Sequence, residues 1–315
     1  MGGQLRAFVT GLLSLVATLL AASALIFLAV NLLPGDPAAV LLGQNASDAA
    51  LAALRERLGL NAPLPVQYGR FLAGALTGDF GQSATYDIPV TTLIVTRAAV
   101  SVPLALMAVL LCVAVALPAA QFAAARRGRG GDAAVEFLAR AGLSVPNIWL
   151  GLGLIVLFAI ELRLVPAGGF PGWADPSAAL AALLLPAIAL AAPQAAILTR
   201  LARTAIVERA DEDFVTLGQA KGLSRAAAVR HHALPAALAP ILTIIGLQFG
   251  FLLAGAIIIE TVFSLPGLGR LLFQAVAQRD LPVVQGVTLV LVAAVVVVNA
   301  LCAALARIAD PRVAR

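Results

Sequence analysis

The chain has 315 residues, 61% of them hydrophobic and 12% charged, with a mean hydropathy of +1.00. About a quarter of a soluble domain is charged, so this composition excludes a water-soluble globule. The charge balance is basic, 21 Lys and Arg against 16 Asp and Glu, but membrane topology uses those charges and no nucleic-acid partner is expected.

Six stretches carry no charge at all: 7–35, 98–125, 141–160, 176–199, 233–259 and 281–306. Each meets the roughly 18 to 20 residues that carry a helix across a hydrocarbon core about 30 Å thick. The expected fold is all-α, a polytopic bundle of six transmembrane helices forming one domain over residues 1–315 in the lipid bilayer. Small residues fill much of it and let helices approach closely. Ahead of the first stretch stands Arg6, and Ala22-Ser23-Ala24 resembles a signal cleavage site. The apolar run continues to Leu33, beyond a 7–15-residue signal core, so it reads as an uncleaved span.

Pro34, Gly35 and Pro37 stop that span, and an amphipathic external segment, 36–97, follows. In it Ser47 or Asp48 can cap a short helix through Leu58, Gly59 can close that helix, and residues 78–83 form a turn. This segment is too apolar for a linker and should pack on the bundle. Spans two and three are joined by the basic turn Arg126-Arg127-Gly128-Arg129-Gly130-Gly131, read as a topology anchor with a lipid-headgroup or partner site as the alternative. A glycine- and proline-rich loop ending at Trp173 joins spans three and four; Trp149 and Trp173 suit either an interface or packing.

With the N-terminus inside, fourteen basic residues lie inside: Arg6, Arg126, Arg127, Arg129, Arg140, Arg200, Arg203, Arg209, Lys221, Arg225, Arg230, Arg307, Arg312 and Arg315. Seven lie outside: Arg55, Arg57, Arg70, Arg97, Arg163, Arg270 and Arg279. The excess places both termini in the cytoplasm.

Between spans four and five, residues 200–232 hold ten charged residues and two histidines, too long a stretch for a simple connection. Asp213 or Thr216 can begin one short helix, Gly222 breaks it, and Ser224 can cap a second short helix toward Leu234. Such a pair suits a docking element on the cytoplasmic surface; a solvated interfacial helix pair is the alternative.

No catalytic site is legible. Lys221 is the only lysine and lies outside any phosphate-binding glycine loop. His231 and His232 are adjacent, not spaced as helical metal ligands, and no metal site is expected. Cys112 and Cys302 lie in apolar runs as small hydrophobes. Spans free of ionisable residues argue against a proton-coupled carrier. Neutral polar residues inside them, Asn31, Gln121, Asn147, Gln194, Gln248 and Asn299, suit interhelical hydrogen bonds or a hydrated path; Asn31, Gln194, Gln248 and Asn299 are the path candidates.

An ordered set of motifs resembles the inner-membrane permeases of bacterial binding-protein-dependent ABC importers, in the dipeptide, oligopeptide and nickel branch. The set runs from Leu32-Leu33-Pro34-Gly35-Asp36-Pro37 through Pro63-Leu64-Pro65-Val66-Gln67-Tyr68, Ser144-Val145-Pro146 and Ala220-Lys221-Gly222-Leu223-Ser224. It continues with the string Glu260-Thr261-Val262-Phe263-Ser264-Leu265-Pro266-Gly267-Leu268-Gly269-Arg270 and ends at Asp310-Pro311-Arg312. The family's cytoplasmic signature registers on Gly222 and Leu234-Pro235; Thr216-Leu217-Gly218 replaces its EAA triplet and His232 its isoleucine. The chain also departs from the branch at Ala99, Pro103, His231 and Ala236.

The resemblance implies a permease that forms half of a path for peptides, nickel chelates or related solutes. It implies a second homologous permease, two cytoplasmic ATPases that bind the ATP and Mg this chain does not, and an external binding protein. Thr216, Leu217, Gly218, Ala220, Lys221, Gly222, Leu223 and Ser224, with Leu234 and Pro235, would couple to an ATPase through a helix in a groove. An export permease or an ion-coupled secondary transporter is the alternative, and dependence on a binding protein separates import from export.

Overall fold

A computed structural model describes residues 2–32, 37–42, 47–57 and 59–309. Every regular element among them is a helix, with one isolated bridge between Gln82 and Pro89. Five helical runs are long and apolar enough to cross a membrane. They are Leu13–Asn31 within α1 (Gly2–Asn31), α5 (Val90–Ala125), α8 (Pro176–Ala210), the run Arg225–Val262, and α13 (Leu281–Ala309).

The third predicted span, 141–160, is divided. Its first residues end α6 (Gly130–Ser144), and the rest form α7 (Asn147–Leu154) and a π-helical continuation, Ile155–Glu161. The two parts meet at 94°, so six spans result only if the bent pair counts as one. Pro146 is the cause: it holds Val145 extended, at φ −95° and ψ 116°, which ends α6. The charge-free stretch runs straight across this corner.

The chain forms two compact units, Met1–Ser101 with Pro266–Val296, and Val102–Leu265 with Val297–Arg315. In the first, α4 (Leu64–Thr77) packs on α1. Phe27 contacts the rings of Tyr68 and Phe71 at 5.4 and 6.4 Å, and the Tyr68 hydroxyl lies 2.9 Å from the Ser23 hydroxyl. After α2 (Pro37–Leu42), Ser47 caps α3 (Asp48–Arg57) as expected, accepting from Ala50 N–H, and Gly59 closes that helix at φ +67°. Leu58 and residues 33–36 of the first proline motif lie outside the described residues, as do Asp310, Pro311 and Arg312.

Residues 78–83 turn as expected, with Gly78 and Gly81 at φ +77° and +80°. A buried carboxylate holds the chain beyond this turn in place. Asp280 accepts from the Ser83 hydroxyl at 2.5 Å and from Thr85 N–H at 3.1 Å. Around it Val90, Leu93, Ile94, Leu271, Val283 and Val287 make the unit's core. The long motif ends in this unit, where the Ser101 hydroxyl caps Leu268 N–H, at 2.7 Å, at the start of α12 (Leu268–Gln278).

The second unit is organised on α8, whose small and branched residues, among them Ala182, Leu183, Ala187, Leu190 and Leu198, are buried. Asp175 caps α8 by accepting from Ser177 and Ala178 N–H; hydrogen bonds from Ser177 and Ala178 hold its carboxyl below the usual range. Against α8 packs α11 (Leu234–Val262), whose Ala237, Ile241, Leu252 and Ala256 are buried. Small residues on both helices permit that approach. Gly168 lies so close to the end of α11 that a Cβ there would meet the Phe263 carbonyl oxygen at 2.5 Å.

Candidate functional site

The segment 200–232 builds a helical corner. α8 ends at Ala210, and the Arg209 guanidinium meets the Glu212 carboxylate at 2.6 Å just before α9 (Asp213–Ala220). Val215 and Gly218, three residues apart on one face of α9, are buried, whereas Phe214 and Leu217 are 42% and 56% exposed. A helix eight residues long cannot hold itself together in water, so its caps and packing matter.

The C-terminal cap is a Schellman motif. Leu223 N–H donates to the Gly218 carbonyl at 3.2 Å and Gly222 N–H to the Gln219 carbonyl at 2.9 Å, with Gly222 at φ +98°. A Cβ on Gly222 would meet nothing within 4 Å, so glycine is required there by backbone conformation alone. Gly218 is required for the opposite reason: its conformation is ordinary, but a Cβ would lie 3.0 Å from His232 Cδ2 and 3.4 Å from Leu223 Cδ1. Two positions where the chain departs from the family signature, Gly218 and His232, therefore face each other.

Ser224 then caps the next helix, accepting from Ala227 N–H at 3.3 Å. That helix is not short. α10 (Arg225–Ala228) passes through a π-helical turn, Val229–Ala233, directly into α11. Leu234 and Pro235 thus lie in a continuous run, not in a separate cytoplasmic helix. Proline lacks an N–H and crowds the carbonyl four residues back; here the π turn precedes Pro235. Of the coupling candidates, Thr216, Leu217, Ala220, Lys221, Gly222, Leu223 and Ser224 are exposed on the corner, Gly218 is buried in it, Leu234 is half-buried and Pro235 exposed.

Ion pairs that no sequence pattern had marked tie this corner to the basic turn. Arg127 meets Asp211 at 2.7 Å, and Arg203 grips Asp132 with Nε at 2.5 Å and Nη2 at 2.6 Å. The hydrogen bond from Arg203, helped by Gly128 N–H, holds the Asp132 carboxyl below the usual range. Arg200 and Arg140 share Glu136, each at 3.1 Å. The spacing of Asp132, Glu136 and Arg140 by four on α6 was the available signal.

The path candidates are divided between the two units. Gln194 and Gln248 meet in the second unit, where Gln248 Nε2 donates to the Gln194 carbonyl at 3.2 Å. Both side chains are buried in a narrow slot with Cys112, Leu198 and Leu252, and Gln194 Oε1 has no hydrogen-bond partner among the described residues. Asn299 packs on Gly246, where a Cβ would fall 2.7 Å from Asn299 Oδ1. Asn31 belongs to the first unit and donates to the Phe27 carbonyl of its own helix at 2.8 Å. Among the described residues no group of three His, Cys, Asp or Glu could hold a metal ion.

The family model described as the binding-protein-dependent transport system inner membrane component matches residues 116–315, and the model of its N-terminal part matches residues 4–94. The chain belongs to this family. The permease is 37% identical to a probable peptide ABC transporter permease of Sinorhizobium fredii over 303 residues, covering 96% of this chain and 97% of the relative. It is 39% identical over 299 residues to a putative peptide transport system permease of Brucella abortus, covering 95% of each. To the glutathione transport system permease of Salmonella paratyphi A it is 37% identical, over 91% of this chain and 92% of the relative. The protein is a multi-pass inner-membrane transport subunit and not an enzyme; ATP hydrolysis is the work of separate subunits. Membership of a binding-protein-dependent family also separates it from an export permease.

Proposed function

We propose that this permease carries peptides, glutathione-like ones included, through half of a path completed by a second homologous permease, driven by two cytoplasmic ATPases that bind ATP and Mg. The functions for which the relatives are named support peptide cargo over nickel chelates. The observation that carries the coupling role is α9: it is closed at its end by the Schellman turn at Gly222, buried along Val215 and Gly218, and exposes Phe214 and Leu217 to a partner. Amphipathic helices of this kind seat an apolar face in a groove of another protein. Closure of the ATPases would then move α9 and bias the bundle between two states. Both termini face the cytoplasm on this reading, in line with the distribution of arginines.

Gln194 and Gln248 are the strongest path candidates. An unpaired acceptor costs about 1–3 kcal/mol when buried. Gln194 Oε1 is such an acceptor, and hydration of the slot in a second state would satisfy it. The test is reconstitution of the complex in liposomes with its binding protein. Peptides or glutathione should stimulate ATP hydrolysis and accumulate inside. Stimulation by a nickel chelate with none by any peptide would overturn the cargo, and stimulation without the binding protein would overturn the importer.

A further inference from the structure

Between α6 and the C-terminal half of α8 lies a cavity of about 730 Å³ that the transport reading leaves unused. Four guanidinium groups line it, those of Arg129, Arg140, Arg200 and Arg203, against the two carboxylates of Asp132 and Glu136. The two carboxylates pair with Arg140, Arg200 and Arg203, but Arg140 remains 68% exposed and Arg129 makes no ion pair among the described residues. A surplus of positive charge is therefore presented to whatever enters.

The level of the cavity is set by the sequence. Arg140 immediately precedes the charge-free stretch 141–160, and Arg200 immediately follows 176–199. Both arginines stand where hydrocarbon gives way to headgroups. Apolar side chains, those of Leu143, Ile197 and Leu201, line the cavity beside these charges. α6 has the form of a helix lying in that boundary: Asp132, Glu136 and Arg140 turn to α8, while Phe137 and Leu138 are 70% and 67% exposed. A basic pocket at headgroup level with an apolar wall matches a molecule with an anionic head and a hydrocarbon tail.

We propose that this cavity binds a phosphate group, supplied by the headgroup of an acidic phospholipid whose acyl chain lies along Leu143, Ile197 and Leu201. The phosphate sits between Arg129 and Arg140 and leaves the Arg203–Asp132 and Arg200–Glu136 pairs intact. Because Arg127 of the same turn holds Asp211 at the entry to α9, the lipid would steady the loop that supports the coupling corner.

The permease, purified with its partner subunits, is offered equal amounts of phosphatidylglycerol and phosphatidylcholine with identical acyl chains, and retained lipid is counted by native mass spectrometry. The parent should retain the acidic lipid preferentially. Arg129→Gln with Arg140→Gln should lose about tenfold to thirtyfold of that preference, from two basic residues near a lipid surface. Arg129→Lys with Arg140→Lys should keep most of it and shows that loss in the glutamine pair reflects charge and not misfolding. Equal retention of the two lipids by the parent, or an undiminished preference in the glutamine pair, overturns the site. Displacement of the acidic lipid by millimolar inorganic phosphate assigns the cavity to a soluble phosphate and overturns the lipid as its source.

Discussion

Replacing Gly222 with alanine tests the coupling corner with little else disturbed. Nothing lies within 4 Å of the added Cβ, so no packing is lost or crowded, and the cost is that of holding an L-residue at φ +98°. Such conformations cost about 1–3 kcal/mol. A value near 2 kcal/mol shifts the balance between the capped and frayed ends of α9 roughly thirtyfold. α9 has only eight residues, and two of its terminal carbonyls, Gly218 and Gln219, depend on this turn. Fraying should therefore reach Leu217 and weaken the ATPase contact proposed for it. The matched control is Gly172→Ala, at φ +91° and equally open, in the loop before α8. Both variants are purified with their partners in liposomes and assayed for ATP hydrolysis stimulated by loaded binding protein, and for uptake. The Gly172 variant should couple like the parent, and the Gly222 variant should hydrolyse ATP with uptake severalfold lower or lose its ATPases. Parental coupling in the Gly222 variant, or an equal defect in both, would refute the assignment of this turn to force transmission.

Gly218→Ala should destabilise the corner by about 1–3 kcal/mol, as overpacking does, because the new methyl meets His232 at 3.0 Å. His232→Ala in the same chain should restore part of the loss, with a coupling of about 0.5–3 kcal/mol in a double-mutant cycle measured by chemical unfolding. Asp280→Ala removes a buried acceptor from the Ser83 hydroxyl and Thr85 N–H; at about 1–3 kcal/mol per orphaned donor, limited proteolysis between Gly81 and Pro89 should accelerate. For topology, cysteines at Gly128 and Gly222 should be shielded from an impermeant thiol reagent added outside, and cysteines at Gly78 and Gly172 should react, in a background lacking Cys112 and Cys302. Gly168 cannot serve as a probe, because the Phe263 carbonyl occupies the space a side chain would need; labelling of Gly128→Cys from outside would reverse the orientation.

Features that depend on near neighbours were legible in the sequence. The caps at Ser47 and Ser224 and the closing turns at Gly59 and Gly222 involve residues within one helical turn, and each formed as expected. The other five spans were legible because hydrocarbon excludes charge, and each contains one of the charge-free stretches or most of it. The bend in the third was not legible, because absence of charge measures length and not direction, while Pro146 sets the direction. The second short helix, expected to run from Ser224 toward Leu234, instead continues through a π turn into α11, a continuity that no residue pattern at its end marks. The contact of Gly218 with His232 spans the whole corner, and the grip of Arg203 on Asp132 joins residues 71 positions apart. No local pattern announces the first, and only the spacing of Asp132, Glu136 and Arg140 by four hints at the second. The slot holding Gln194 and Gln248 was half legible: their polarity marked them, but only packing brings them together and sets Asn299 apart, against Gly246.

The bond from Ser83 to Asp280 also sets an order of events during synthesis, since it joins residues 197 positions apart. At about 5–20 residues per second, the ribosome needs roughly 10–40 s to deliver the carboxylate after the hydroxyl. Through that interval the turn is closed only by local bonds, such as Ser83 N–H to the Ile88 carbonyl at 2.9 Å. The turn after Gly78 thus becomes secure only when the start of α13 has been made and inserted. A nascent permease arrested before residue 280 lacks this acceptor, and a surveillance protease that cuts a turn held only by local bonds would tell an unfinished chain from a complete one.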